Sequence, residues 1–144
     1  MKMQIKIKKL DQNASLPNYA RAWDAGADLT AIESVTIPAG GTAIVGTGIA
    51  VEIPPEYVGL VHPRSGMAAK YGVTVLNAPG TIDAGYRGEI KVILINHGKE
   101  AYQVAKWDKI AQLVIQEVVE AHFVETDELS DSSRYIDGFG STGK

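Results

Sequence analysis

The stretch Ser34-Val35-Thr36-Ile37-Pro38-Ala39-Gly40-Gly41-Thr42-Ala43-Ile44-Val45-Gly46-Thr47-Gly48-Ile49-Ala50-Val51-Glu52-Ile53-Pro54-Pro55 holds three short strand-like runs separated by clusters of turn residues. Residues 34–37 and 49–53 alternate with period two, and residues 42–45 are rich in β-branched side chains. Pro38-Ala39-Gly40-Gly41, Gly46-Thr47-Gly48 and Pro54-Pro55 read as the turns between them. The same rhythm extends outward in both directions. Met1-Lys2-Met3-Gln4-Ile5-Lys6-Ile7-Lys8 alternates as a half-buried strand, and residues 57–62, 90–95 and 110–119 are further apolar runs, with turn signals at Pro79-Gly80 and Asn96-His97-Gly98. Helical periodicity is nearly absent. The pattern predicts an all-β, jelly-roll-like sandwich or barrel. The exception is Ser65-Gly66-Met67-Ala68-Ala69-Lys70-Tyr71-Gly72, which reads as a helix of about two turns with Ser65 as N-cap and Gly72 at the C′ position.

Composition narrows the function classes. A chain of 144 residues fits one domain that builds its core without covalent staples. With no cysteine, disulfides, thiolate zinc sites and a cysteine nucleophile are excluded. Fourteen Lys+Arg against 17 Asp+Glu give a net charge of −3, which argues against direct binding of nucleic acid. No run is long and apolar enough for a membrane span, and no signal-peptide core opens the chain, so the expected location is the cytoplasm. His62, His97 and His122 show no ligand or catalytic spacing. From Ser130 the composition becomes linker-like, which divides the chain into a β core over 1–129 and a mobile C-terminal arm over 130–144. Glycine is the excess residue, 15 of 144, where roughly 7% is usual.

Several glycines sit beside residues suited to an anionic ligand. Arg64-Ser65-Gly66 places a guanidinium, a hydroxyl and bare backbone at a helix start, where free N–H groups favour an anion. A plain N-cap on a surface helix accounts for the same residues. In Leu76-Asn77-Ala78-Pro79-Gly80-Thr81-Ile82-Asp83-Ala84-Gly85-Tyr86-Arg87-Gly88, Pro79-Gly80 suits a tight turn with positive φ at glycine, and Gly85 and Gly88 suggest a bent hairpin. Asp83 is then either a general base on water or the acceptor of an Asx-turn. Gln112, inside an apolar run, either faces inward with partners or lies at a strand edge. Asp28 is a turn carboxylate or a functional one, of a kind that suits Mg²⁺ through water. Gly138-Phe139-Gly140-Ser141-Thr142-Gly143 is either a solvated terminus or a phosphate wrap whose Phe139 stacks on a base.

Taken together, five segments resemble the ordered motifs of the trimeric dUTPases, the deoxyuridine 5′-triphosphate nucleotidohydrolases. They are Ala25-Gly26-Ala27-Asp28-Leu29, Pro63-Arg64-Ser65-Gly66, Asn77 with the segment 80–88, Lys109-Ile110-Ala111-Gln112-Leu113, and Arg134 with Gly138-Phe139-Gly140-Ser141-Thr142-Gly143. The resemblance spans the chain from about residue 25 to its end. It implies a jelly-roll homotrimer whose active sites draw on all three subunits. It implies Mg²⁺-assisted hydrolysis of dUTP to dUMP and pyrophosphate, which limits uracil incorporation into DNA and supplies dUMP for thymidylate synthesis. By the same resemblance Asp83 activates the attacking water. Asn77 with the hairpin Gly80, Thr81, Ile82 and Asp83 reads uracil, and Tyr86 lies under the deoxyribose. Arg64, Ser65, Gly66 and Gln112 hold the α and β phosphates, Lys91 is a further substrate contact, and Asp28 reaches magnesium through water. In the arm, Phe139 stacks on uracil while Arg134, Gly140, Ser141 and Thr142 close on the phosphates, with Arg134 acting as an arginine finger.

The chain departs from the pattern twice. Lys109 stands where the fourth motif usually has arginine, keeping charge without the planar fork. Tyr135-Ile136-Asp137 replaces a more glycine-rich stretch after Arg134, and Asp137 brings a negative charge toward the expected triphosphate. A related dCTP deaminase would need a catalytic glutamate on the strand after the hairpin. Residues 91–95 offer no carboxylate, and Ile93 occupies the corresponding place. A nucleotide-gated binding protein is the rival from another class, and Asp83 favours catalysis over it.

Overall fold

A computed structural model of the chain describes residues 2–143. Met1 of the expected N-terminal strand and Lys144 of the expected arm lie outside the described residues. In chain order the elements are β1 (Lys6–Lys9), β2 (Ala27–Thr30), β3 (Val35–Ile37), β4 (Thr42–Glu52), β5 (Tyr57–His62), α1 (Ser65–Tyr71), β6 (Val73–Val75), β7 (Gly80–Ile82), β8 (Glu89–Asn96), β9 (Tyr102–Val104) and β10 (Lys109–Glu117). Strands β1-β4-β8-β6 form one four-stranded antiparallel sheet, β2-β10-β5-β7 a second, and β3-β9 a two-stranded ribbon. The two sheets share one core, with Val45, Val92 and Leu94 from the first meeting Leu29, Val61 and Leu113 from the second. The expected all-β architecture with a single short helix is present. No helix among the described residues is long and apolar enough to cross a membrane.

Strand β8 shows how pattern becomes layer. Ile90, Val92, Leu94 and Asn96 point into the core, while Lys91, Ile93 and Ile95 face outward. The run of apolar residues from 90 to 95 therefore covers both faces of one strand.

Four local expectations are corrected. Gly46-Thr47-Gly48 is not a turn, because β4 runs through it as a single strand of 11 residues. The β4–β8 ladder pairs Gly46 with Lys91 and then resumes at Ala50 with Glu89, so these residues form a bulge. The glycine that suggests a turn instead supplies φ +72° at Gly48, whose carbonyl accepts the Leu10 N–H at 2.8 Å. Strand β10 stops at Glu117, short of the Val118 and Val119 assigned to it, and both valines are exposed. Helix α1 begins at Ser65 itself, with Arg64 in the N-cap position and no side-chain cap. Its end is as expected, since Gly72 adopts φ +70° and donates its N–H to the Ala68 carbonyl. Gly80 is not the positive-φ residue of a turn, because it starts β7 and pairs with Val61.

Candidate active site

The expected bent hairpin is not formed, because β7 and β8 pair in different sheets, and the loop that carries the chain from one to the other surrounds a cavity of about 200 Å³. Its lining includes Asn77, Gly80, Thr81, Ile82, Asp83, Tyr86 and Lys91, seven of the expected site residues, together with Val61, Glu89, Ile90 and Ile93. Pairing of β7 with β5 holds the strand that enters the loop, and the Tyr86 N–H donating to the Asp83 carbonyl at 3.0 Å closes the turn after it. That bond is to the backbone carbonyl, and among the described residues no backbone N–H donates to the Asp83 carboxylate, so an Asx-turn is not formed. Among the described residues the carboxylate is exposed and makes no hydrogen bond within the chain. Tyr86 donates its hydroxyl to the Glu89 carbonyl at 2.8 Å, which fixes the ring at the cavity edge. Asn77 packs beside Gly80, where a Cβ would sit 3.4 Å from the Asn77 amide nitrogen. Ile93 presents an apolar side chain in this lining, so no carboxylate enters the cavity from that strand position.

A second group gathers around the start of β10. Lys109 Nζ lies 3.0 Å from Asp28 Oδ2, and the Asp28 side chain is only 8% exposed. Asp28 is therefore a buried strand residue of β2, not a turn carboxylate. Arg64 anchors one guanidinium nitrogen on the Lys109 carbonyl at 3.0 Å and leaves its other donors available. Ser65 and Gly66 stand exposed in the first turn of α1, where N–H groups have no intrahelical partner. Gln112 sits in β10 between Asp28 of β2 and His62 of β5, which excludes the strand-edge alternative. Its side chain lies over Gly26, where a Cβ would come within 2.8 Å of the Gln112 Cβ and 3.1 Å of Oε1. Beside this group Tyr102 is held above the ordinary phenol range, chiefly by burial and then by Asp108 and Tyr71, with Arg64 opposing.

The two groups do not merge within one chain. The cavity lining contains none of Asp28, Arg64, Ser65, Gly66 or Gln112. The expected arm residues stand apart as well. Past Glu117 the described residues form no helix or strand, and Val119, Phe123, Val124, Leu129, Tyr135, Ile136 and Phe139 are all largely exposed. Arg134 donates its Nε–H to the Asp137 carbonyl at 2.8 Å, and the arm closes only local turns, from Ser141 to Gly138 and from Gly143 to Gly140. Phe139 and Gly140 both take positive φ there. Asp137 thus meets Arg134 through its backbone, without a salt bridge between the two side chains.

Sequence reasoning misses Glu89, Val61 and the partnership of Lys109 with Asp28. Nothing local signals them, since each depends on which strands become neighbours. For a metal, the donor set is sparse: among the described residues no three His, Asp or Glu side chains cluster. One neutralised, nearly buried carboxylate is not a cage, but it suits an ion that keeps its waters and is carried mainly by phosphate oxygens, as Mg²⁺ is.

The chain is similar to known proteins along nearly its whole length. The dUTPase family model matches residues 12–143. The deoxyuridine 5′-triphosphate nucleotidohydrolase of Clostridium acetobutylicum is 55% identical over 98% of this chain and 97% of its own. The protein of the same name from Clostridioides difficile is 53% identical over 96% and 97%. Among solved structures, the dUTPase of Staphylococcus bacteriophage 80alpha with dUPNHPP superposes with a TM-score of 0.91 at 30% identity, covering 98% of this chain and 99% of that one. A mutant dUTPase from phage phi11 of S. aureus, described with a structural Mg(II) ion, gives 0.81 at 28% identity over 88% and 98%.

Proposed function

The chain belongs to the dUTPase family, and from that premise we propose that it hydrolyses dUTP to dUMP and pyrophosphate at a site shared between subunits of a homotrimer. The observation that carries the reading is the loop cavity, which brings Asn77, Gly80, Ile82, Asp83 and Tyr86 around one volume with the Asp83 carboxylate unengaged. In this reading the backbone of Gly80, Thr81, Ile82 and Asp83 with the Asn77 amide pairs with the uracil edge, and the Tyr86 ring lies under the deoxyribose. Lys91 adds a cation at the cavity wall.

Asp83 accepts a proton from a water as that water's oxygen attacks the α-phosphorus in line. The bond from the α-phosphorus to the bridging oxygen breaks, and pyrophosphate leaves with the electron pair. Arg64, the free N–H groups of Ser65 and Gly66, and Gln112 hold the α and β phosphates and offset the charge that moves onto the leaving group. Asp28 would hold a Mg²⁺ ion through water, and the ion would supply further charge neutralisation to the phosphates. The arm over 130–143 is mobile and closes over the loaded site. Phe139 then stacks on uracil, Gly140, Ser141 and Thr142 surround the phosphates, and Arg134 exchanges its bond to Asp137 for one to phosphate. Consumption of dUTP makes the enzyme a guard against uracil in DNA, and the product dUMP serves thymidylate synthesis.

Separation of the two groups in a single chain supports the shared site, because among the described residues Lys91 is the one cation in the cavity lining and a triphosphate bound there needs further cations and N–H groups from elsewhere. The exposed apolar stretch from Val118 to Leu129 supports it too, since such a segment has nothing to cover it in one chain. Pyrophosphate release from dUTP, dTTP, dCTP and UTP, measured side by side, tests the reading. Turnover of dUTP should exceed the others by about a hundredfold or more. Equal rates on all four would overturn it.

A further inference from the structure

The cavity is braced by a strand that contributes nothing to its wall. Glu89 opens β8 and lines the cavity, yet its carboxylate turns toward the bulge of β4. There Oε2 accepts the Gly48 N–H at 3.2 Å and occupies the space that a side chain on Gly46 would need. Between them, Thr47 donates its hydroxyl to the Ile90 carbonyl at 2.6 Å, and this bond is buried. Two successive residues of β8 are thus tied to Thr47 and Gly48 of β4, with Gly46 leaving room for the Glu89 carboxylate, just where the β4–β8 ladder loses its regular pairing. Side chains do here what the ladder does not.

On its other side Glu89 accepts the Tyr86 hydroxyl through its backbone carbonyl at 2.8 Å. The Tyr86 ring packs over Gly88, where a Cβ would approach Cζ to 2.6 Å and Cε1 to 2.9 Å. Both contacts limit where the ring can stand. The bulge fixes Glu89, Glu89 fixes the phenol oxygen, and the missing side chain at Gly88 leaves room for the ring.

We propose that Gly46, Gly48, Glu89 and Gly88 are positioning residues for the Tyr86 ring, and that through it they set the discrimination between deoxyribonucleotides and ribonucleotides. The inference rests on the reading that Tyr86 lies under the deoxyribose. A wall rejects one extra hydroxyl only if it does not yield, because an apolar surface free to move back discriminates weakly against an added oxygen. Stiffness is what the bulge supplies, and it does so from outside the cavity.

The test measures kcat/KM for dUTP, UTP and dTTP with the wild type and with Gly46→Ala, Gly88→Ala, Glu89→Ala, Glu89→Gln and Tyr86→Phe. The dUTP-to-UTP ratio should fall by about ten- to a hundredfold in Gly46→Ala, Gly88→Ala and Glu89→Ala, the scale expected of a small displacement at a reacting site. Glu89→Gln keeps an oxygen for the Gly48 N–H and should retain the ratio. The dUTP-to-dTTP ratio should hold throughout, since the base is read by Asn77 and the β7 backbone. Should a glycine variant fail to fold, Tyr86→Phe keeps the ring, loses the hydroxyl with its bond to the Glu89 carbonyl, and should lower the UTP discrimination in the same direction. Intact rejection of UTP in these variants, or a parallel loss of both ratios, would overturn the inference. A wild type that turns over UTP as readily as dUTP would instead sink the parent reading, and this one with it.

Discussion

A carboxylate as buried as that of Asp28 is tolerable because the Lys109 ammonium stands 3.0 Å away. Desolvating a charge costs several kcal/mol unless a partner offsets it, and removing the partner exposes that cost. Lys109 is itself about half exposed, so water shares the work and the penalty is smaller than for a fully buried pair. Lys109→Ala should therefore lower the unfolding free energy by about 1–3 kcal/mol in urea titration at neutral pH, and Lys109→Arg should restore most of it. No loss in the alanine variant would show that Asp28 is satisfied without the pair. At this scale legibility follows distance along the chain. Gly72 at the end of α1 and Asp83 before the bend are readable from their immediate neighbours, because a cap and a turn are local events. The burial of Asp28 is not readable that way, since it depends on β10 arriving beside β2. For the same reason Gln112 stays ambiguous until its strand has a neighbour on both sides.

Among elements, β8 is an interior strand of its sheet, pairing with β4 on one edge and β6 on the other. Its last residue, Asn96, is fully buried, although the local sequence reads it as part of a turn. The amide donates to the Ile37 carbonyl at 3.0 Å and to the Glu100 carbonyl at 2.8 Å, and its oxygen accepts the Gly98 N–H at 2.9 Å. Three segments are thus joined through one side chain: the β3 edge, the strand end and the turn that follows. Asn96→Ala strands two carbonyls and one N–H away from bulk water, so stability should drop by about 1–3 kcal/mol or more, read as a lower urea midpoint with little change in slope. An unchanged midpoint would mean that water reaches the junction and replaces the amide. Strand identity is legible in β8 because alternation and β-branching survive any register. The continuity of β4 is not, because Gly46-Thr47-Gly48 serves a bulge as well as a turn, and only pairing with Lys91 and Glu89 distinguishes them.

For the whole molecule, the question is how three separate groups of residues come to act on one triphosphate. The loop cavity, the cluster at the start of β10 and the arm are each complete as local structures, and none adjoins another's ligand groups in the single chain. Under the proposed trimer each group comes from a different copy, and two measurements examine this. Deleting residues 133–144 should lower kcat/KM for dUTP by at least about a hundredfold, if Arg134 neutralises charge in the transition state as arginine fingers do. Mixing inactive variants is more decisive, because it asks where the groups come from. Asp83→Asn removes the base from every cavity, and Arg64→Ala removes a phosphate cation from every β10 cluster. If both groups act within one chain, no combination of the two variants contains an intact site. If they come from neighbouring chains, a cavity on an Arg64→Ala subunit meets a cluster on an Asp83→Asn subunit, and that site is whole. Random reassembly of equal amounts in a cyclic oligomer makes about a quarter of the sites intact, so roughly a quarter of wild-type turnover should return from two preparations that are each inactive. Recovery also has to depend on subunit exchange, appearing after co-refolding and not on brief mixing. If co-refolded samples stay inactive while native mass spectrometry shows mixed oligomers, the site is built within one chain and the arm and cluster must reach the cavity by a rearrangement of that chain alone.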